Sequence, residues 1–343
     1  MNTTSKGRIL ITARAIWEHG RHAEQLLRDN GFEVVRTSTP GPLSEAILLP
    51  QLAGYDAVIA SSDAYTPALL AACPRLKMIS RWGVGVDSVD LDIAAQLGII
   101  VTNCPGSMTD PVADYTFALM LSLSRRIVEG DMLVRAGKWG ELAGVLVCGK
   151  TLGLVGFGQI GQGVARRSIG FGMRVLAYDP PLQQAVNKNL ASELSFVEFV
   201  DLDTLLAHSD FVSAHAPNLP ETKKMFNASL FAKMQHSAYF INTARGALVD
   251  EADLLTALET KQIAGAAIDV FSQEPLPPDY PLRQAPNCIL TPHNAFNAAE
   301  TARKTSLETA ENVLSVWRGE HTAPVRNPAV WTSPNLRIAS KSV

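Results

Sequence analysis

The sequence predicts an α/β protein built on two parallel sheets, and three observations carry that prediction. Apolar runs of strand length alternate with helix-length stretches along most of the chain. Glycines 156, 158 and 161 stand between one such run and a helix. Polar residues then recur at the ends of the later runs, where open parallel sheets bind their ligands. At 343 residues the chain is long enough for two domains, each with its own core.

Arg8–Thr12 reads as the first strand, and His22–Asn30, stopped by Gly31, as a helix. Gly31–Val35 is the next strand. The alternation continues with Asp56–Ala60, Pro67–Cys73, Met78–Ser80, Leu91–Leu97 and Ile99–Thr102, a first and smaller α/β domain. Its Arg81–Asp87 loop contains Gly83 and Gly85. The loop reads as a tight turn, although its backbone N–H groups could also meet an anion. Asn103–Gly106 reads as a hinge, and Asp110 with Pro111 as the cap and first position of a new helix. From Val112 to Leu123 that helix is apolar on nearly every side, so something must cover it all round, either a domain core or a second subunit.

The run Leu152–Val155 is a buried strand feeding Gly156, Gly158 and Gly161, with a helix beginning after them. Gly156 permits the turn, Gly158 lets the backbone approach a pyrophosphate, and Gly161 lets helix and strand pack closely. Free N–H groups at the helix start, around Gln159 and Ile160, suit phosphates. The next strand, Met173–Tyr178, ends at Asp179, whose carboxylate suits ribose hydroxyls and repels a 2′-phosphate. The expected cofactor is therefore NAD rather than NADP. Further strands end in the same polar fashion: Asp210–Ala214 at His215 and Pro217, Ala238–Asn242 at Thr243 and Arg245, Ile263–Asp269 ahead of Glu274, and Cys288–Thr291 at His293. These ends imply one shared cleft. A closing helix spans Asn297–Trp317, and the last dozen residues are expected to be loose.

Composition excludes several roles. A net charge of −3 and a pI near 6.2 give no electrostatic footprint for nucleic acid or an anionic membrane. No apolar run reaches the roughly 18 residues of a membrane span, and the start lacks the apolar core of a secretion signal, so a cytoplasmic protein is expected. Cys73, Cys104, Cys148 and Cys288 have no metal-ligand spacing, and no metal is expected.

Arg245, Glu274 and His293 form a complete set for a carboxylate-bearing carbonyl substrate. Arg245 offers a planar fork of donors to a carboxylate and the adjoining carbonyl oxygen. His293 can give or take the hydroxyl proton, and Glu274 would orient and tune it. Each has a plain structural alternative taken singly. Asp269 reads as a helix cap or as a contact to the nicotinamide carboxamide. Five other histidines, His19, His22, His208, His236 and His321, read as surface residues.

At these motifs the sequence resembles the D-isomer-specific 2-hydroxyacid dehydrogenases, in their phosphoglycerate-dehydrogenase-like part. The matching pieces are Ser80–Asp90, Val112–Asp114, Gly153–Gly161, Ile241–Gly246, Asp269–Pro275 and Thr291–His293. The resemblance implies two Rossmann-like or flavodoxin-like domains. The NAD domain, 105–295, is inserted in a discontinuous substrate domain of 1–104 and 296–330, with a tail of 331–343 and the cleft at the seam. It implies interconversion of a small D-2-hydroxy acid and its 2-oxo acid, with Arg245, Glu274 and His293 catalytic. The Val84–Gly85 backbone would receive the substrate carboxylate, Thr243 and Asp269 would line the nicotinamide, and His215 and Pro217 the adenosine side. It also implies a homodimer through the apolar helix after Pro111. Several features depart from the family pattern. Ser61–Ser62 replaces the Arg-Ser of phosphoglycerate-specific relatives, which speaks against that substrate. Asp114 replaces a Glu, and Phe296 stands where smaller residues are commoner. A non-enzymatic, NAD-sensing corepressor-like module is the alternative, and a formate dehydrogenase would carry Gln in place of Glu274.

Overall fold

A computed structural model describes residues 5–185 and 192–338. The last five residues of the expected loose tail lie outside that range. Two compact units are present. One runs up to Met108 and resumes at Asn297; the other is Thr109–Phe296.

In the first unit β1 (Gly7–Ile11), β2 (Phe32–Arg36), β3 (Ala57–Ala60), β4 (Met78–Arg81) and β5 (Ile100–Thr102) form a parallel sheet in the order β2-β1-β3-β4-β5. All four residues of β3 are buried, as expected for a central strand covered by helices on both faces. The order reverses between β1 and β3, so the ends of those strands, at Thr12 and Ser61, flank the switch point of this sheet.

The second unit carries β6 (Thr151–Val155), β7 (Arg174–Tyr178), β8 (Val197–Phe199), β9 (Phe211–Ala214), β10 (Tyr239–Asn242), β11 (Gly265–Ile268) and β12 (Cys288–Leu290). These pair in parallel in the order β12-β11-β10-β9-β6-β7-β8. Here the reversal falls between β6 and β9. The glycine loop follows one of those strands and His215 the other, so a doubly wound sheet places both at its own crevice.

Thr66, Asp90, Asp201 and Asp250 each accept a backbone N–H of the helix they precede, as polar residues at helix starts do. Asp110 does not. Its helix starts a residue earlier, at Thr109, and runs to Ser124. Asp110 instead lies in the first turn and pairs with Arg167 at 3.1 Å, alongside Asp114 at 2.5 Å. One side of the same helix packs into the core of its own unit through Ala113, Phe117, Leu119, Met120 and Leu123, while Asp114 and Ala118 stay exposed. Gly163 contributes to that fit, since a Cβ there would come within 2.9 Å of Thr109.

Three helices carry no clear sequence signal: Arg14–His19, Glu45–Leu52 and Ile127–Arg135. The first two are short, and Glu45–Leu52 contains Pro50, which reads as a breaker. The tail is another correction. Up to residue 338 it is held down, with Arg337 donating to the Cys73 and Leu76 carbonyls at 2.9 and 2.7 Å and Asn335 to the Gln96 carbonyl at 2.9 Å. Carbonyls left over past helix ends attract these donors, a use that tail composition cannot reveal.

Gly153, inside β6, fixes how closely the helix Leu202–His208 can lie. A Cβ there would fall 2.3 Å from Ser209 Oγ and 2.5 Å from Leu205 Cδ2. Gly153→Val is expected to cost about 1–3 kcal/mol through overpacking, lowering the melting temperature by about 3–10 °C. An unchanged melting temperature in calorimetry would show that this packing is not tight.

Candidate active site

The glycine loop after β6 is shaped by two close backbone approaches. Gly156 has φ +94°, and a Cβ there would sit 2.5 Å from Ala216 N and from the His215 carbonyl carbon. A Cβ on Gly161 would sit 2.5 Å from Gly156 O. Gly158 is different: nothing lies within 4 Å of its Cβ position, and it is exposed together with Gln159. That leaves open space directly in front of the start of the helix Gln159–Ser168. The loop is braced by Asp179, which accepts the Phe157 N–H at 2.8 Å and the Leu182 N–H at 3.0 Å. Each carboxylate oxygen keeps a further acceptor position. A bare backbone cradle, a helix N-terminus and an acid at the neighbouring strand end fit a dinucleotide.

His215 ends β9. Its Nε2 lies 2.9 Å from Ser213 Oγ, and burial of the ring pushes its pKa down to about 4. It is therefore a neutral group at physiological pH. Pro217 beside it is exposed.

Arg245, Glu274 and His293 lie beyond the ends of β10, β11 and β12. His293 Nδ1 is 2.7 Å from Glu274 Oε2, and each side chain keeps about a third of its surface exposed, 38% and 33%. Burial would raise the Glu274 carboxyl. The hydrogen bond and charge of His293, the Phe271 N–H at 2.9 Å and the charge of Arg245 outweigh it and hold the carboxyl below its usual range. Glu274 is thus the ionised partner of the imidazole.

His293 has φ +50°, a left-handed conformation costly for a non-glycine residue. Asp269 holds it there. The completely buried Asp269 carboxylate accepts Thr291 Oγ1 at 2.6 Å and the N–H groups of Asn294 and Ala295 at 2.9 Å each, while its backbone carbonyl accepts the His293 N–H at 2.7 Å. It caps no helix, and its visible task is to set the histidine loop. Thr243, also buried, has its hydroxyl 3.1 Å from Thr116 Oγ1. Phe296 lies edge-on to the His293 ring with centroids 5.9 Å apart.

Two residues that sequence reasoning passed over shape the Arg245 turn. Buried Asn242 donates to the Arg245 carbonyl at 2.9 Å and accepts the Ala244 N–H at 3.0 Å. Gly246 lies against the neighbouring loop, since a Cβ there would come 1.9 Å from the Phe271 carbonyl carbon. An Asn at a strand end and a Gly after Arg are visible in the sequence, but their partners are not.

In the first unit, Gly83 adopts φ +130° and Arg81 reaches Ser62 Oγ at 2.9 Å. The Val84 carbonyl accepts Asn103 Nδ2 at 2.7 Å, and the Gly83 carbonyl accepts the Cys104 N–H at 2.9 Å. The loop is more than a simple turn: its carbonyls are drawn inward by these donors. Among the described residues no His, Cys, Asp and Glu cluster could hold a metal, and no helix is long and apolar enough to cross a membrane.

Residues 117–295 match the model of the NAD-binding domain of D-isomer specific 2-hydroxyacid dehydrogenases. The chain belongs to the D-isomer-specific 2-hydroxyacid dehydrogenase family. A glyoxylate reductase of Korarchaeum cryptofilum is 40% identical, covering 84% of this chain and 88% of its own. A D-3-phosphoglycerate dehydrogenase of Archaeoglobus fulgidus is 38% identical over 88% of this chain but only 56% of its own length. The solved glyoxylate reductase of Paecilomyes thermophila superposes with a TM-score of 0.80 at 28% identity, covering 95% of this chain and all of that one. As a D-2-hydroxyacid dehydrogenase, the protein is an oxidoreductase that uses NAD.

The neutral His215 links stability to pH. Folded, it stays unprotonated down to about pH 4; unfolded, it takes a proton near 6.5. Its contribution is complete above about pH 6.5 and is lost as pH falls from there to about 4, about 3 kcal/mol in all. Denaturant unfolding at a series of pH values should show that loss in the wild type and a shallower one in His215→Gln. Equal losses in both proteins would contradict the assignment.

Proposed function

We propose that this dehydrogenase interconverts a small D-2-hydroxy acid and its 2-oxo acid, with Arg245, Glu274 and His293 as its working residues. The observation that carries the reading is the 2.7 Å contact between His293 Nδ1 and Glu274. Bound NAD supplies or takes up the hydride. Binding, orientation and proton transfer fall to the protein.

Arg245 orients the substrate through its carboxylate and polarises the adjoining carbonyl. With Nδ1 engaged by Glu274, Nε2 is the nitrogen left for the substrate. In reduction, protonated His293 gives its Nε2 proton to the oxygen that becomes the hydroxyl, and in oxidation it takes that proton back. Glu274, held ionised, fixes the ring and stabilises the imidazolium. For the substrate carboxylate, the Val84–Gly85 N–H groups are the further proposed ligands. Asp179 is proposed to select NAD over NADP by repelling a 2′-phosphate.

Substrate size follows from Ser61, Ser62 and Asp63. The serines supply no cation at the position where phosphoglycerate-specific relatives carry arginine. The buried Asp63 carboxylate behind them accepts the Ser61 and Leu43 N–H groups at 3.1 and 2.7 Å, and Arg81, which donates to Ser62 Oγ at 2.9 Å, is engaged within the same cluster. Short 2-oxo acids of the glyoxylate and hydroxypyruvate class are favoured over phosphorylated ones. The unpaired thiols Cys73, Cys104, Cys148 and Cys288 support a reducing, cytoplasmic setting.

A panel of 2-oxo acids assayed with NADH and NADPH side by side tests the reading. Wild type should prefer NADH and a short unphosphorylated acid, while Arg245→Ala and His293→Ala should lose at least about a hundredfold in kcat/KM. NAD binding with negligible turnover in all three proteins would instead favour a non-catalytic, NAD-sensing module.

We also propose a homodimer whose interface takes in the segment that follows the apolar helix Thr109–Ser124. The helix Ile127–Arg135 has no buried residue. Ile127, Met132 and Val134 are more than half exposed, and Leu146 is 65% and Trp139 92% exposed. Large apolar side chains exposed together along residues 127–146 suit an association surface. Light scattering should give twice 36.9 kDa for the wild type and the single-chain mass for Met132→Glu/Trp139→Glu. A wild-type protein that is already monomeric would overturn the proposal.

A further inference from the structure

The loop that carries Glu274 is gripped from outside the site. Glu251 opens the helix Glu251–Glu259, itself capped by Asp250. Its Oε1 accepts the Ser272 N–H at 2.8 Å, and its Oε2 accepts Ser272 Oγ at 2.6 Å and the Tyr280 hydroxyl. Ser272 Oγ and Tyr280 Oη are themselves 3.3 Å apart. One carboxylate therefore ties down positions 272 and 280, on either side of Glu274. The preceding residue, Phe271, donates the N–H that Glu274 Oε1 accepts.

We propose that Glu251 is a positioning residue of the active site, acting through Ser272 and Tyr280 to hold Glu274 against His293. This rests on the catalytic reading of Glu274 and His293. A purely local role, capping the helix start, is already filled by Asp250, whose side chain accepts the Ala252 and Asp253 N–H groups. The Glu251 carboxylate spends its acceptors on the loop instead. Burial, followed by the hydrogen bond to Glu251, keeps the Tyr280 phenol protonated well into the alkaline range, so it remains a donor.

The two halves of the grip differ in reach. Ser272 is adjacent to Phe271, so loosening it moves the N–H that Glu274 accepts. Tyr280 fixes the far end of the loop, where Arg283 also donates to the Leu276 and Pro277 carbonyls at 2.8 and 2.7 Å. Losing the Tyr280 contact should therefore cost less than losing Glu251. The groups facing Glu274 are His293, Arg245 and the Phe271 N–H. If Phe271 and His293 withdraw, burial dominates and the carboxyl rises.

The test compares wild type with Glu251→Ala, Glu251→Gln and Tyr280→Phe. Each is examined by 15N-histidine NMR of the full chain without cofactor, by the pH profile of kcat/KM for glyoxylate, and by melting temperature. Glu251→Ala should weaken or abolish the hydrogen-bonded Nδ1–H resonance of His293. It should also lower kcat by about tenfold or more and move the acid limb of the profile to higher pH. Glu251→Gln, which keeps an acceptor for the Ser272 N–H, should recover part of each change, and Tyr280→Phe should show the smallest effect. Retention in Glu251→Ala of both the wild-type His293 resonance and the wild-type pH profile would overturn the proposal, whatever the melting temperature. Should Glu251→Ala not fold, Glu251→Gln and the double variant Ser272→Ala/Tyr280→Phe, which removes both hydroxyl contacts to Glu251, carry the test, and wild-type His293 resonance and pH profile in both would overturn the proposal. Full activity of His293→Gln would instead defeat the catalytic reading while leaving the NMR comparison valid.

Discussion

The buried carboxylate of Asp269 determines where the histidine can be. A negative charge without solvent is costly, and here three donors from Thr291, Asn294 and Ala295 offset that cost. Those donors fix the loop that forces His293 into a left-handed backbone. The His293 N–H, donated to the Asp269 carbonyl at 2.7 Å, adds to that hold on a residue with a Cβ at φ +50°. The ring's position, and hence its contact with Glu274, follows from a residue that itself has no exposed surface.

A second constraint couples the loops after β10 and β11. Gly246 leaves no room for a Cβ against the Phe271 carbonyl. The turn carrying Arg245 and the loop carrying Glu274 are in direct backbone contact, so neither can shift alone. Asn242 closes the first of these turns and Glu251 grips the second. Parallel strands bring these ends to one edge of the sheet, and short polar contacts then convert proximity into a defined geometry.

Much of this was legible in the sequence, for reasons that can be stated. Glycines 156 and 161 meet close backbone approaches that a Cβ would block, Gly158 leaves open space before the helix, and parallel strands buried on both faces read as continuous apolar runs. The set of Arg245, Glu274 and His293 was visible because these residue types are ones able to bind a carboxylate and move a proton. Asn242, Glu251 and Asp269 in its bracing role were not, because their meaning lies in partners far along the chain. The helix Thr109–Ser124 shows another limit: an all-round apolar pattern says that it is covered but not by what, and its own unit buries one side while Asp114 and Ala118 stay exposed. The exposed apolar residues lie one helix later, where Ile127–Arg135 carries no strong period to reveal it. Arg337 sits in a polar tail that composition reads as loose, yet two distant carbonyls anchor it.

The central claim is that Glu274 fixes His293 so that Nε2 faces the reacting oxygen beside Arg245. A crystal structure with NAD and oxamate, an unreactive 2-oxo acid analogue, tests it most directly. The account predicts the oxamate carbonyl oxygen within about 3 Å of both His293 Nε2 and the Arg245 guanidinium, with the His293 to Glu274 contact intact. Oxamate bound with its carbonyl oxygen beyond about 4 Å from His293, or with Nδ1 rather than Nε2 facing it, would contradict the account.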